Sequence, residues 1–245
     1  RTAAVPPEHL AEVFEALTPA LPRIFNSGTL GVSQIMSSYK QDNLFRAFAL
    51  SRIAAAMRAT DMPKAKGLFD LAKKAIDKPG PFSAEELPEC SVLSYIERNE
   101  GVCSVMHEKW EVAHDSWASS IKVFPLNTTS YYLEGCYYQE QKMYKLAAEC
   151  HLKSILLDPD FKSPYIALGN AYLLAERFQQ AMEACTASFR RHPDSPGGMF
   201  NLGQAIYHRM RRGDKMENML ELFEQAKEAL DLAKRRMPEQ WTEAD

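Results

Sequence analysis

Gly101, Gly135, Gly169 and Gly203 stand 34 residues apart in three successive steps, and this spacing constrains the fold more tightly than any other feature of the chain. Gly169 falls within "YIALGNAY", residues 165–172, which reads as the middle of an amphipathic helix. A glycine inside a helix costs about 1 kcal/mol relative to alanine. Its recurrence at one period therefore implies a packing reason. Two more columns share the period: Ala113, Ala147 and Ala181, then Pro125, Pro159 and Pro193.

A 34-residue period with small residues at two fixed places and a proline near the end resembles the tetratricopeptide (TPR) repeat, a helix-turn-helix unit. In the best match, 162–195, Tyr165, Leu168, Gly169, Tyr172, Ala181 and Pro193 fall where the family has its aromatic, Leu-Gly pair, Tyr, Ala and Pro. The unit 128–161 keeps Tyr131, Gly135, Tyr138, Ala147 and Pro159 with Glu134 in the Leu position, and 94–127 keeps Gly101, Ala113, Trp117 and Pro125 but departs at Glu97 and Ser104. The resemblance implies an all-α protein, a right-handed α-solenoid of TPR-like hairpins. A side chain at Gly169 or Ala181 would then push the two helices of a hairpin apart.

The fourth unit starts regularly at "MFNLGQAIY" but closes at Pro238, eleven residues later than the register expects. Eleven residues are about three helical turns, so the last hairpin is expected to be extended, with "RRGDK" at 211–215 as its turn and Ala226, Leu230 and Ala233 on its second helix. Upstream, residues 42–79 read as a degenerate hairpin whose first helix Asp42 can cap. The prolines and glycine of 80–93 mark a linker. Residues 1–41 form an N-terminal helical segment, with Leu10, Val13, Phe14 and Leu17 on one face, that either caps the stack or docks elsewhere. The array proper is 94–238, in units 94–127, 128–161, 162–195 and 196–238, followed by a tail at 239–245.

Composition narrows the function. The net charge of −3 over 245 residues gives no global basic field for nucleic acid or anionic membranes. No apolar run approaches the roughly 20 residues of a membrane helix, which predicts a soluble chain without membrane insertion. Five cysteines, none in a C-x-x-C pair, suit a reducing intracellular compartment, cytoplasmic in the first instance, with a mitochondrial or other organelle interior as the alternative. The opening "RTAAVPP" lacks acids and fits either a trimmed chain or the stub of a cleaved presequence. No G-x-S-x-G, phosphate loop, H-E-x-x-H or dinucleotide fingerprint occurs, and His107, His114 and the Cys150–His151 pair make no zinc constellation. Neither catalysis, a cofactor nor a metal is expected.

In stacked hairpins the first helices line the concave side. Their residues facing away from the partner helix are Arg98, Asn99 and Val102; Tyr132, Leu133 and Cys136; Ile166 and Asn170; and Phe200, Asn201 and Gln204. This aromatic, aliphatic and amide lining suits an apolar or amphipathic helix, or an extended segment, from a protein partner. Chaperone-binding TPR proteins, which this chain resembles in fold, clamp a terminal carboxylate with lysines, an arginine and two asparagines. Asn170 and Asn201 match the asparagines, but Ile166 replaces a paired lysine. A second candidate surface is the basic set Arg209, Arg211, Arg212 and Lys215, which would serve an acidic partner or, in the alternative reading as a helical-repeat RNA-binding protein, phosphates. The expectation is a protein-interaction scaffold or adaptor, a subunit of a larger assembly.

Overall fold

The computed structural model describes residues 40–58, 60–76, 87–192 and 196–213, together with 221, 224, 227, 228, 231, 234 and 235. The expectations for residues 1–39, for Ala226, Leu230 and Ala233, and for the tail lie outside the described residues. Every regular element among those described is helical: α1 Lys40–Met57, α2 Met62–Lys74, α3 Leu87–Val105, α4 Trp110–Val123, α5 Thr128–Glu140, α6 Tyr144–Leu157, α7 Lys162–Leu174, α8 Phe178–Arg191 and α9 Pro196–Arg212. They pair as hairpins, and two compact units divide between Ser130 and Tyr131.

The glycine column has a specific tenant. A Cβ at Gly101 would lie 2.4 Å from Trp117 Nε1, one at Gly135 2.4 Å from His151 Cε1, and one at Gly169 2.6 Å from Cys185 Sγ. Each glycine therefore receives the side chain sixteen positions ahead on the second helix of its own hairpin. The space is filled by a side chain, where the sequence suggested only the close approach of two backbones. Ala113, Ala147 and Ala181 are fully buried beside these contacts. A column not singled out in the sequence, Ser120, Ser154 and Ser188, is equally buried. In the first unit Ser120 Oγ donates to the Ser94 carbonyl at 2.8 Å and lies 2.7 Å from Ser130 Oγ.

The turns repeat as strictly as the helices. Glu108, Lys142 and Glu176 adopt φ of 60°, 58° and 57°. In each, the next amide reaches back across the turn, Lys109 N to Ser104 O at 3.0 Å, Met143 N to Tyr138 O and Arg177 N to Tyr172 O at 2.8 Å. These are Schellman closures, with a left-handed residue where glycine is preferred. Because a Cβ there costs about 1–2 kcal/mol, Glu108→Gly is expected to raise stability by roughly 1 kcal/mol after the greater freedom of the unfolded glycine chain is subtracted. Urea unfolding reports it. Glu108→Ala, which keeps the Cβ, should give no such gain.

The degenerate first hairpin corrects two expectations. Helix α1 already runs from Lys40, so Asp42 lies within its first turn rather than capping it. The cap that forms is Asp61, whose Oδ1 accepts the Lys64 amide at 3.0 Å and opens α2. The linker expected at 80–93 is also too long, because α3 starts at Leu87. Pro88, among the prolines that mark the linker, falls in the first turn of α3, where a proline lacks only an N–H that would have no helical partner anyway.

Ion pairing also explains an odd repeat position. Glu97 and Glu100 of α3 occupy the register of Tyr165 and Leu168. Lys73 of α2 reaches both, at 3.1 Å and 2.5 Å, joining the first hairpin to α3. Burial raises the Glu97 carboxyl above its ordinary range, against the pull of the Lys73 ammonium.

Candidate partner-binding groove

In the second unit α5, α7 and α9 are the first helices of their hairpins, and α7 packs against α9. Their shared face forms a groove of about 680 Å³. Tyr132, Cys136, Gln139 and Glu140 line it from α5, Ser163, Ile166, Ala167 and Asn170 from α7, and Gly197, Phe200, Asn201 and Gln204 from α9. Two columns of period 34 organise it: Tyr132, Ile166, Phe200 and, one helical turn on, Cys136, Asn170, Gln204. Spacing of four residues places each pair on one face.

Apart from Glu140, the lining is uncharged. Burial pushes the Tyr132 phenol up to about 12 and the Cys136 thiol up to about 11, so both are neutral near pH 7. Tyr132 is held rather than free, its ring edge-on to Phe161 at 5.4 Å and tilted against His151 at 5.8 Å. Asn201 is buried, and its Nδ2 donates to the Ile166 carbonyl at 3.1 Å, tying α9 to α7. Asn170 is exposed. At Gly197 a Cβ would sit 3.3 Å from Ile166 Cγ2, so glycine keeps the Ile166 side of the groove open.

Seven of the residues expected on the concave side line this groove: Tyr132, Cys136, Ile166, Asn170, Phe200, Asn201 and Gln204. Leu133 does not. One residue past Tyr132, it is rotated by about 100° around the helix. Arg98, Asn99 and Val102 belong to the first unit, and two of them serve its packing. Asn99 is buried and donates to the Tyr95 carbonyl at 2.7 Å, while the Arg98 guanidinium lies 4.6 Å over the Tyr95 ring. Gln139, Glu140, Ser163, Ala167 and Gly197 were missed. The columns themselves held the signal for Glu140, which follows Cys136 by four.

The basic set is largely engaged within the fold. Arg209 donates to Gln179, and Arg212 pairs with Glu176 while its guanidinium lies 4.5 Å over Phe178. Arg211 is exposed, and Lys215 lies outside the described residues. Arg209, Arg211 and Arg212 all fall in the last turn of α9, where cations complement the helix dipole. Gly213 follows with φ of 75°, within the turn expected at 211–215. Helix α9 has 17 residues against 13 in α5 and α7, consistent with a lengthened last hairpin.

These repeated hairpins, with first helices sharing a groove, define a helical-repeat protein. No family model matches the chain, and no curated protein matches it in sequence. Solved structures do. MamA (41-end) from Desulfovibrio magneticus RS-1 is 17% identical over 78% of this chain and 97% of its own, with a TM-score of 0.58. YrrB, described as a TPR protein with an unusual peptide-binding site, is 15% identical over 78% and 92%, with a TM-score of 0.56. MamA MSR-1 C2 gives 18%, 79%, 98% and 0.55. The fold is the tetratricopeptide-repeat fold that the 34-residue columns implied.

Among the described residues no helix is long and apolar enough to cross a membrane, and no group of three or more metal-ligating side chains converges.

Proposed function

We propose that the chain is a non-catalytic interaction scaffold or adaptor that holds a segment of a partner protein in the groove of its second unit, as a subunit of a larger assembly. The observation that carries this reading is the pairing of an apolar column, Tyr132, Ile166 and Phe200, with an amide-bearing column at Asn170 and Gln204. The apolar column offers side-chain pockets and the amides offer hydrogen bonds to a partner backbone, a combination suited to a helix or an extended segment. The proteins of like fold include one described as peptide-binding. A terminal carboxylate is a poor ligand here. Among the lining residues none is cationic, and the amide of Asn201 is already used. The RNA reading loses support because Arg209 and Arg212 are occupied by Gln179, Glu176 and Phe178.

Asn170→Arg tests the proposal, because Asn170 is exposed within the groove and a larger charged side chain there obstructs it without disturbing the core. The variant is expected to keep its thermal midpoint and to recover at least about tenfold less partner, a loss of about 1.4 kcal/mol, in affinity isolation from native extract. Full recovery by a folded Asn170→Arg chain would place the partner elsewhere.

A further inference from the structure

The second unit carries another cleft, of about 550 Å³, between the start of α6 and the end of α7 with the turn that follows it. Its chemistry differs from that of the groove. Met143, Leu146 and Leu152 line it with 51%, 41% and 41% of their surfaces exposed. Lys142, Lys145 and Arg177 surround them, against one carboxylate, Glu149.

The repeat does not require these cations. Where this hairpin has Lys142, its neighbours have Glu108 and Glu176 in the same left-handed turn position, and where it has Lys145 they have Glu111 and Gln179. The fold thus accepts acidic or neutral residues at both places, whereas this hairpin, unlike those on either side of it, places lysines there, beside exposed apolar side chains. We infer that this cleft is a second docking surface, for an acidic amphipathic segment of a partner protein whose apolar residues cover Met143, Leu146 and Leu152 while its carboxylates meet Lys142, Lys145 and Arg177. Charge complementarity selects acidic over basic partners. The exposed methionine and leucines favour a protein over a nucleic acid, whose phosphates would need the cations alone.

The probe is a synthetic 15-residue helical peptide with leucines at i, i+3, i+4 and i+7 and glutamates elsewhere, labelled for fluorescence anisotropy with the full chain. Binding is expected, weakened about tenfold or more by Lys142→Glu with Lys145→Glu and similarly by Leu146→Asp, all at exposed positions, with thermal midpoints unchanged. Asn170→Arg should leave it unaffected, which separates this surface from the groove and from the outcome of that test. A glutamine-for-glutamate peptide binding equally well would overturn the charge argument. Binding of a single-stranded oligoribonucleotide in place of the peptide, or peptide binding indifferent to all three substitutions, would overturn the proposal.

Discussion

Gly101→Ala is expected to destabilise the first unit by about 1–3 kcal/mol. The new methyl would lie within 2.9 Å of three atoms of the Trp117 indole. That ring cannot swing away, because it is 1% exposed and its Nε1 donates to the Arg98 carbonyl at 3.2 Å. Overpacking typically costs about 1–3 kcal/mol, and losing the indole hydrogen bond adds about 1 kcal/mol. The helix-propensity gain of about 1 kcal/mol opposes both. Gly67 in α2 is the internal control. It is helical, and nothing lies within 4 Å of its added Cβ, so Gly67→Ala should stabilise by up to about 1 kcal/mol. Urea unfolding of both variants gives opposite signs if side-chain intrusion explains the glycine column, and the same sign if it does not. In the hairpin of α7 and α8 the cost of Gly169→Ala should largely disappear in a Cys185→Ala background, because the only atom within 3.4 Å of the new methyl is Cys185 Sγ.

The second large effect is a loss of stability in mild acid that traces to His151. Its imidazole is fully buried over Gly135. Nε2 donates to Gln139 Oε1 at 2.8 Å, and Nδ1 has no hydrogen-bond partner. Burial holds the ring neutral, lowering its pKa to about 4 from an ordinary 6.5. The unfolded chain takes up this proton below pH 6.5 and the folded chain only near pH 4, so the stabilising contribution is complete above 6.5 and drains away between the two. A depression of this size corresponds to roughly 3 kcal/mol. His151→Phe keeps an aromatic ring over Gly135 and removes the titration. Between pH 7 and pH 4.5 the parent chain should lose about 2–3 kcal/mol more than this variant in chemical denaturation. Parallel losses in the two proteins would show that His151 is protonated or solvated in the fold.

Both predictions bear on what the sequence made legible. The hairpin period and seven groove residues follow from residue type at a spacing of 34, because each repeat must present the same surfaces to its neighbours. Pairwise geometry was hidden. Nothing in the spacing says that Trp117, His151 and Cys185 enter the glycine gaps, since three chemically unlike residues share that column. The left-handed turn residues were masked similarly, because Glu108, Lys142 and Glu176 are not the glycines that usually announce such a turn. Asn201 could be placed on the groove side from sequence, but its bond to the Ile166 carbonyl could not. Tyr132 could be placed on the groove side from sequence, but its packing against Phe161 and His151 could not, so its truncation tests stability as well as binding. Near the N-terminal hairpin the period fades, and there the reading of Pro88 as a boundary failed.

The central claim, capture of a partner segment by the groove, is tested most directly by site-specific photo-crosslinking. A benzophenone side chain is placed singly at Asn170, Gln204 or Leu156, the last a control on α6 with 79% of its surface exposed and outside the groove. The account predicts covalent adducts at 170 and 204 to one and the same partner segment, identified by mass spectrometry and lost when Phe200→Ala is added. Adducts at 156 with none at 170 and 204, or groove adducts unchanged by Phe200→Ala, would contradict it.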